Sequence, residues 1–525
     1  MNKVAKNTFQ LMIITLVAKI LGFCRELVLA STYGTSLYSD AYLTSLNIPV
    51  VISTIIGGAL ATTFIPLYFE VDTEYGRVKS LKFCNNIFNI VIIISLILSS
   101  IGLIFTDEIV RLFAIGFKGE ILEITVKFTR ILMISIIFMS ISNIMTSYLQ
   151  SKNNFIIPGM VSIPYNIIII ISMVLSIKYD NVYMMIWGTV TGILSQVVFQ
   201  IIFAYKNQYK YSIYVNLKDK YLRRMLWLVG PVFIGIGVNQ INTMIDRALA
   251  STLEEGSISA LNYANKLNGF IMVLFVASIS TVIYPILSKI SNEKNKDKFI
   301  KSITNSINSI IIMVIPITIG AIILAKPIVR LLFQRGVFDI NATKMTSIAL
   351  IFYSIGLIGF ALKDIIGKVF YSLKDTKTPM LNGAISMIIN IVLNIMLIRY
   401  MGHAGLAFAT SISAIITVIL LLVSLKKKIE YFGQDKIIKT TFKSIISSLI
   451  MGIITYFVYN LLNNILFKGF ITEVISLFTS IGIGTIVYGF MIIALKVEEA
   501  NLIKEILREK LKNKNNYKLK NLYLK

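Results

Sequence analysis

Basic side chains interrupt several apolar stretches of this chain, and their chemistry suggests that it binds an anion. Lys19 and Arg25 lie in the first apolar stretch, and Lys266 lies in the eighth. An ionisable group at membrane depth costs about 2.5–3.5 kcal/mol on insertion scales, so each one needs a partner or a water-filled cavity. Three cations that face one cavity would outnumber the acids able to neutralise them. We therefore expect an anion-binding site that contains these three residues.

Acidic residues occur near these cations, and they allow a second interpretation. Glu26 and Asp246 are 220 residues apart, and each is followed or preceded by an arginine, Arg25 or Arg247. Asp40 lies in the second apolar stretch. For Glu26, Asp40 and Arg247, internal ion pairs that hold helices together are at least as good an explanation as a role in binding.

The composition identifies the elements that must position these residues as membrane-spanning helices. Of 525 residues, 56% are hydrophobic and only 15% are charged, whereas a soluble protein is about 25% charged. A spanning helix needs about 20 mostly apolar residues. We predict an all-α polytopic membrane protein with about 14 transmembrane helices. The candidate spans lie near 8–32, 37–69, 83–106, 122–149, 157–177, 183–205, 222–252, 257–288, 300–325, 345–372, 379–399, 403–425, 441–463 and 472–495.

The distribution of basic residues predicts the topology. The formal net charge is +25, but most of the 51 Lys and Arg fall in alternate loops, on the side of the amino terminus. This asymmetry is typical of cytoplasmic loops and not of nucleic-acid binding. An even number of spans places both termini in the cytoplasm. The basic tail, 496–525, is expected either to lie on the inner leaflet as an amphipathic helix or to be solvated.

An internal repeat predicts the domain organisation. The tetrapeptide Leu-Ala-Ser-Thr occurs at 29–32 and again at 249–252, and "IVRLF" at 109–113 returns as "IVRLL" at 328–332. Further matches in the same order share an offset of about 220 residues. Because six spans per copy is an even number, the copies form a parallel repeat, which is typical of transporters with a central cavity. The predicted divisions are a six-helix bundle at 1–215, a second at 220–430, two additional helices at 431–495, and the tail.

The second span contains Pro49, Gly57 and Gly58, which suggest either of two roles. These residues would allow the helix to bend as a hinge, or they would let neighbouring helices pack closely. No enzyme is expected, because the chain has one histidine, His403, and no metal-spaced cluster or nucleophile motif.

Several segments resemble the MurJ/MviN family of lipid II flippases, in the multidrug/oligosaccharidyl-lipid/polysaccharide exporter superfamily. They are "AKILGFCRELVLASTYGTSLYSDAYLTSLNIP", "ISALNYANKLNGF", "VRLLFQRGVF" and "FALKDIIGKVFYSLKDTKTP". The resemblance implies a carrier in the bacterial cytoplasmic membrane that moves an undecaprenyl-pyrophosphate-linked peptidoglycan precursor to the outer leaflet. It also implies alternating access and a partner set limited to the lipid-linked glycan and the membrane, with a monomeric protein and no nucleic acid.

The resemblance also implies which residues bind the substrate. Arg25 matches the family's basic pattern outright, Lys19 and Lys266 stand where that pattern has arginine, and Glu26 and Asp40 match acidic positions. The second span lacks the basic residue that the family pattern has there. This departure leaves open another polyprenyl-linked oligosaccharide as substrate. A drug or cation exporter of the same superfamily is a further alternative, although it would want a carboxylate-rich cavity.

Some family members have a sodium site among the seventh, eleventh and twelfth spans. The oxygen-bearing candidates here are Asp246, Asn390, Asn394 and Thr410. The alternative is that these side chains form hydrogen bonds between packed helices. A sodium ion and the membrane potential are the expected means of coupling, and no other cofactor is expected.

Overall fold

The computed structural model describes residues 3–293, 295–466 and 469–498. Within these ranges the secondary structure is helical and includes no strand, which confirms the predicted all-α class. Most of the predicted basic tail, residues 499–525, lies outside the described residues.

The first part of the chain forms nine helices. They are α1 (Lys3–Tyr33), α2 (Leu37–Tyr75), α3 (Arg77–Ile104), α4 (Thr106–Phe113), α5 (Glu120–Leu132), α6 (Ser135–Ser151), α7 (Ile156–Met160), α8 (Ser162–Lys178) and α9 (Tyr183–Lys206).

Eleven further helices follow a linker. They are α10 (Lys220–Ala250), α11 (Ser257–Ile271), α12 (Ser278–Asn292), α13 (Lys296–Ile323), α14 (Ala325–Phe333), α15 (Ile340–Ile355), α16 (Leu357–Ser372), α17 (Lys377–Met401), α18 (His403–Ile429), α19 (Gln434–Ile465) and α20 (Phe470–Ala494). A π-helical turn, Met272–Ala277, joins α11 to α12.

The helices are long and apolar enough to cross a membrane many times. Within the described residues, twelve helical segments meet that description, and a thirteenth results if α5 and α6, bent by 44°, form one span. The prediction of about 14 spans is compatible with this range. Short amphipathic helices, α4 and α14, follow the third and the ninth predicted spans in matching positions.

The chain divides into two compact units, each with its own apolar core. The first unit comprises Met1–Tyr263 and Phe333–Met345, and the second comprises Ala264–Leu332 and Thr346–Lys525. Aromatic residues of α2, α3 and α6 fill the first core, where the Phe64 and Phe83 rings stack at 5.8 Å. Isoleucine, leucine and valine residues of α13, α16 and α18 fill the second.

Unusual backbone conformations recur at the predicted repeat distance. Four pairs of residues with positive φ are 221 or 222 residues apart: Gly34 and Gly256, Asn153 and Lys374, Asp180 and Gly402, and Gln208 and Glu430. Such conformations are uncommon outside glycine, so their recurrence supports a duplicated fold. The exact division into 1–215 and 220–430 remains a prediction.

Candidate substrate-binding site

Arg25 and Glu26 form the polar centre of α1. The Arg25 Nη2 atom lies 2.7 Å from Glu26 Oε1, and the two side chains are 15% and 3% exposed. Glu26 Oε2 accepts a hydrogen bond of 3.0 Å from Asn262 Nδ2 on α11. The carboxylate is thus shared between a guanidinium and an amide, as a buried charge requires.

Aromatic residues surround the other side of the guanidinium. Arg25 lies over the Tyr165 ring of α8, at 5.4 Å from its centroid, which is a cation–π distance. The buried Tyr42 hydroxyl shares a 3.0 Å hydrogen bond with Thr189 on α9. A guanidinium has five N–H donors, so pairing with one carboxylate leaves it able to bind an anion.

The predicted surplus of positive charge does not hold at Arg25. Its neighbour Glu26 neutralises it, because the adjacent carboxylate folds back onto the guanidinium. Lys19 is exposed on α1, as are the neighbouring apolar residues Leu16 and Ile20. Lys266 is exposed on α11 and belongs to the second compact unit. A basic surplus therefore depends on these two lysines.

Asp40 caps a helix and is not part of an ion pair with a neighbouring cation in the way we expected. Its carboxylate, 2% exposed, accepts hydrogen bonds of 2.8 Å from the backbone N–H groups of Gly256 and Ser259. These groups lie at the amino end of α11, where unpaired N–H donors and the helix dipole favour an anion. Asp40 thus joins α2 to the start of α11.

Further contacts reinforce this junction. The Val337 N–H donates to Ser31 O over 3.0 Å, and the Tyr263 hydroxyl donates to Gly34 O over 3.0 Å. Gly336 has φ +60°, and a Cβ there would lie 2.1 Å from Ser31 O, so the close approach requires glycine. We call Ser31, Gly34, Asp40, Gly256, Ser259, Tyr263, Gly336 and Val337 the turn cluster.

The second acid–base pair makes different contacts from the first. Arg247 Nη1 donates to Leu43 O on α2 over 3.3 Å, and Asn242 Nδ2 approaches Asp246 Oδ2 at 3.4 Å. Asp246 and Arg247 thus connect to backbone and amide groups. The matching sequence positions do not produce matching contacts, because Arg247 reaches across to another helix.

The predicted sodium ligands are only partly brought together. Asn394 Nδ2 donates to Asn390 Oδ1 over 3.2 Å on α17, and the Thr410 hydroxyl donates to Leu406 O on its own helix. Asp246 belongs to the other compact unit. The hydrogen bonds within α17 and α18 fit the helix-packing alternative, and the sodium site remains a prediction.

The glycines of α2 are packed against neighbouring helices. A Cβ on Gly57 would lie 2.4 Å from the Asn143 amide of α6, and one on Gly58 would lie 2.3 Å from Ile236 of α10. Pro49 lies inside the continuous helix α2. Close packing therefore accounts for both glycines, while a hinge role remains untested.

Comparison with known families decides where the chain belongs. A model of the family described as lipid II flippase MurJ matches residues 29–477. The chain belongs to the MurJ family of lipid II flippases. A probable lipid II flippase MurJ of Buchnera aphidicola subsp. Acyrthosiphon pisum is 30% identical, covering 94% of this chain and 98% of that one. One from Rickettsia prowazekii is 30% identical, covering 76% and 80%.

Solved structures agree with the MurJ assignment. A lipid II flippase MurJ in an inward closed conformation has a TM-score of 0.79 and 30% identity, covering 92% of this chain and 99% of that one. An inward-facing multidrug resistance transporter of the MATE family has a TM-score of 0.66 at 13% identity. That second likeness shows only a common fold.

Two residues of the site did not stand out in the sequence. Asn262 lies in the segment "ISALNYANKLNGF", but several asparagines there are equivalent by type. Tyr165 is one of 25 tyrosines, and nothing in its spacing relates it to Arg25. Only the packing of α1 against α8 brings the ring over the guanidinium.

Proposed function

We propose that this protein translocates lipid II, the undecaprenyl-linked peptidoglycan precursor, from the inner to the outer leaflet of the bacterial cytoplasmic membrane. The observation that carries the proposal is its similarity, over nearly the whole chain, to relatives named lipid II flippases. The buried Arg25–Glu26–Asn262 cluster supports it, since an arginine at membrane depth suits a diphosphate.

The charges suggest how a headgroup is bound. An entering diphosphate replaces Glu26 as the partner of Arg25 Nη2, and Asn262 retains the displaced carboxylate through Oε2. Lys19 and Lys266 supply the additional positive charge, while the lipid tail stays in the bilayer beside α19 and α20. Exposed side chains on these last two helices, such as Phe457 and Phe490, are apolar. The step forms and breaks only non-covalent contacts.

Alternating access completes the proposed cycle, with both termini in the cytoplasm. The turn cluster lies on the side that the charge distribution places outside, and its hydrogen bonds would have to break when the substrate leaves. An inside-negative potential contributes about 2.3 kcal/mol per charge per 100 mV. It drives a diphosphate outward and returns an empty cationic site inward, so the potential suffices as a driving force whether or not sodium binds.

The lipid that co-purifies with the protein tests the substrate assignment. Mass spectrometry of gently extracted protein should detect lipid II, and the amount should fall in the Arg25→Gln variant. Since α2 contains no lysine or arginine, another polyprenyl-linked oligosaccharide is the second candidate. Recovery of such a lipid in place of lipid II would contradict the proposal.

A further inference from the structure

The linker between α9 and α10 is an extended segment clamped to α3. Residues 209–216 have no regular secondary structure, and three asparagines on consecutive turns of α3 hold their backbone. Asn85 Nδ2 donates to Lys210 O, Asn86 Nδ2 donates to Asn216 O, and Asn89 Nδ2 donates to both Ser212 O and Tyr214 O, over 2.9–3.2 Å. We call residues 209–217 the strap.

The clamp is two-sided and well buried. The amide oxygens of the same asparagines accept hydrogen bonds from Tyr209 and Tyr211 hydroxyls and from the Asn216 N–H, at 2.7–2.8 Å. Asn85, Asn86 and Asn89 are at most 7% exposed. Buried amides with both ends bonded fix a single register of the extended segment.

This register exposes one apolar face. The carbonyls of even-numbered residues point to α3, and the odd-numbered side chains Tyr211, Ile213, Val215 and Leu217 are 44%, 85%, 47% and 67% exposed. Alternation of this kind follows from the period of an extended chain. Four apolar side chains in one exposed row are a surface that water does not favour.

The position of the strap along α3 shows what covers this face. The apolar part of α3 runs from Ile87 to Ile104, which at 1.5 Å per residue is about 27 Å, close to the thickness of a bilayer core. Along it, Ile93, Ile97 and Ile101 are exposed, as expected of a lipid-facing helix. The clamping asparagines lie at the start of this run. The strap therefore lies at the boundary between acyl chains and headgroups.

Basic residues flank the apolar row. Lys206 and Lys210 precede it, and Lys218 and Lys220 follow it. Lysine near the inner leaflet gains about 1 kcal/mol from anionic lipid. Apolar insertion combined with flanking lysines is the pattern of an element that lies on a membrane.

We propose that the strap is a membrane-surface anchor, whose odd-numbered side chains insert into the inner leaflet and whose flanking lysines bind anionic phospholipid headgroups. The anchor fixes the linker to both α3 and the leaflet. Relative movement of the repeats then has to begin after the strap, at the start of α10. The inference is independent of which lipid-linked substrate the protein carries.

Depth-dependent fluorescence quenching tests the anchor on the full chain in nanodiscs. An environment-sensitive fluorophore is attached at Ile213→Cys, with Cys24→Ala and Cys84→Ala, and shallow nitroxide-labelled phospholipids serve as quenchers. Thr73→Cys, exposed at the end of α2, is the matched control. We expect blue-shifted emission and several-fold stronger quenching at position 213 than at position 73. Equal quenching with water-like emission at both would overturn the proposal.

A second measurement examines the headgroup contact and does not depend on the cysteine substitutions. The paired changes Lys210→Gln and Lys218→Gln should slow proteolysis protection loss least in phosphatidylcholine nanodiscs and most in phosphatidylglycerol nanodiscs, read as cleavage within 207–219. We expect wild-type protection to increase with phosphatidylglycerol content and the variant to lose that increase. Protection that is independent of lipid charge in both proteins would contradict the headgroup contact.

Discussion

Arg25 and Glu26 are neighbours in sequence and partners in space, with 2.7 Å between guanidinium and carboxylate in the middle of a helix that enters the membrane. The pair carries no net charge, so it can lie at depth at a modest cost. An anion that displaces Glu26 gains a guanidinium already held by Tyr165. This relationship explains how a basic group is stored between transport events.

Removing one member of this pair should destabilise the protein more than removing both. Breaking a buried pair costs about 3–5 kcal/mol, because the remaining charge has no partner. Arg25→Gln and Glu26→Gln should each lower the melting temperature in detergent, and the double variant should recover most of the loss. Additive losses would show that the two side chains do not interact. Arg130→Gln, in the exposed pair with Asp107, is the control and should have little effect.

Asp40→Ala should loosen the start of α11. The substitution removes the acceptor of two backbone N–H groups, and loss of a capping side chain typically costs about 0.5–2 kcal/mol. Hydrogen–deuterium exchange in peptides that cover 251–263 should become faster. Asp107→Ala, an exposed acid elsewhere in the first unit, should leave that exchange unchanged. Unaltered exchange in Asp40→Ala would show that the cap does not hold the turn cluster.

Asp375 should make stability depend on pH. Lys428 Nζ, at 2.6 Å, and then the Thr378 N–H and hydroxyl hold the pKa of this carboxyl well below its usual range. A lowered folded pKa adds stability above the unfolded pKa of about 3.9, and that stability is lost as the pH falls further. Unfolding temperatures of wild type and Asp375→Asn should therefore differ at neutral pH and converge in acid.

The first repeat provides a neutral control for this experiment. Asn154 lies 221 residues before Asp375, and its Oδ1 accepts a hydrogen bond from the Ile157 N–H in the same kind of turn. Because an amide does not titrate, Asn154→Ala should lower stability by a similar amount at every pH. A pH-dependent loss in that variant would contradict the electrostatic explanation.

Gly57→Ala should destabilise the contact between α2 and α6. The added Cβ meets the Asn143 amide, and overpacking typically costs about 1–3 kcal/mol. Adding Asn143→Ala should restore the melting temperature if close packing is the role of the glycine. Gly230→Ala, where nothing lies within 4 Å of the added Cβ, should be tolerated. Transport lost in Gly57→Ala but not rescued by Asn143→Ala would favour a hinge.

The sequence predicted the helical class well, because hydropathy is a local property that long apolar runs express directly. It also located the repeat, and the positive-φ residues Asn153 and Lys374 occupy equivalent positions in it. What it could not predict were contacts set by tertiary packing. Asp40 reads as a membrane charge until α11 is placed against it, and the strap reads as a soluble loop until Asn85, Asn86 and Asn89 are seen to hold it.

Transport by reconstituted protein tests the central claim most directly. Proteoliposomes that contain labelled lipid II should show lipid transfer between leaflets with wild type and with Arg130→Gln, whereas the double variant Arg25→Gln with Glu26→Gln, folded but without the stored guanidinium, should show none. Transfer by that double variant at the wild-type rate would contradict the assignment of Arg25 as the group that binds the diphosphate.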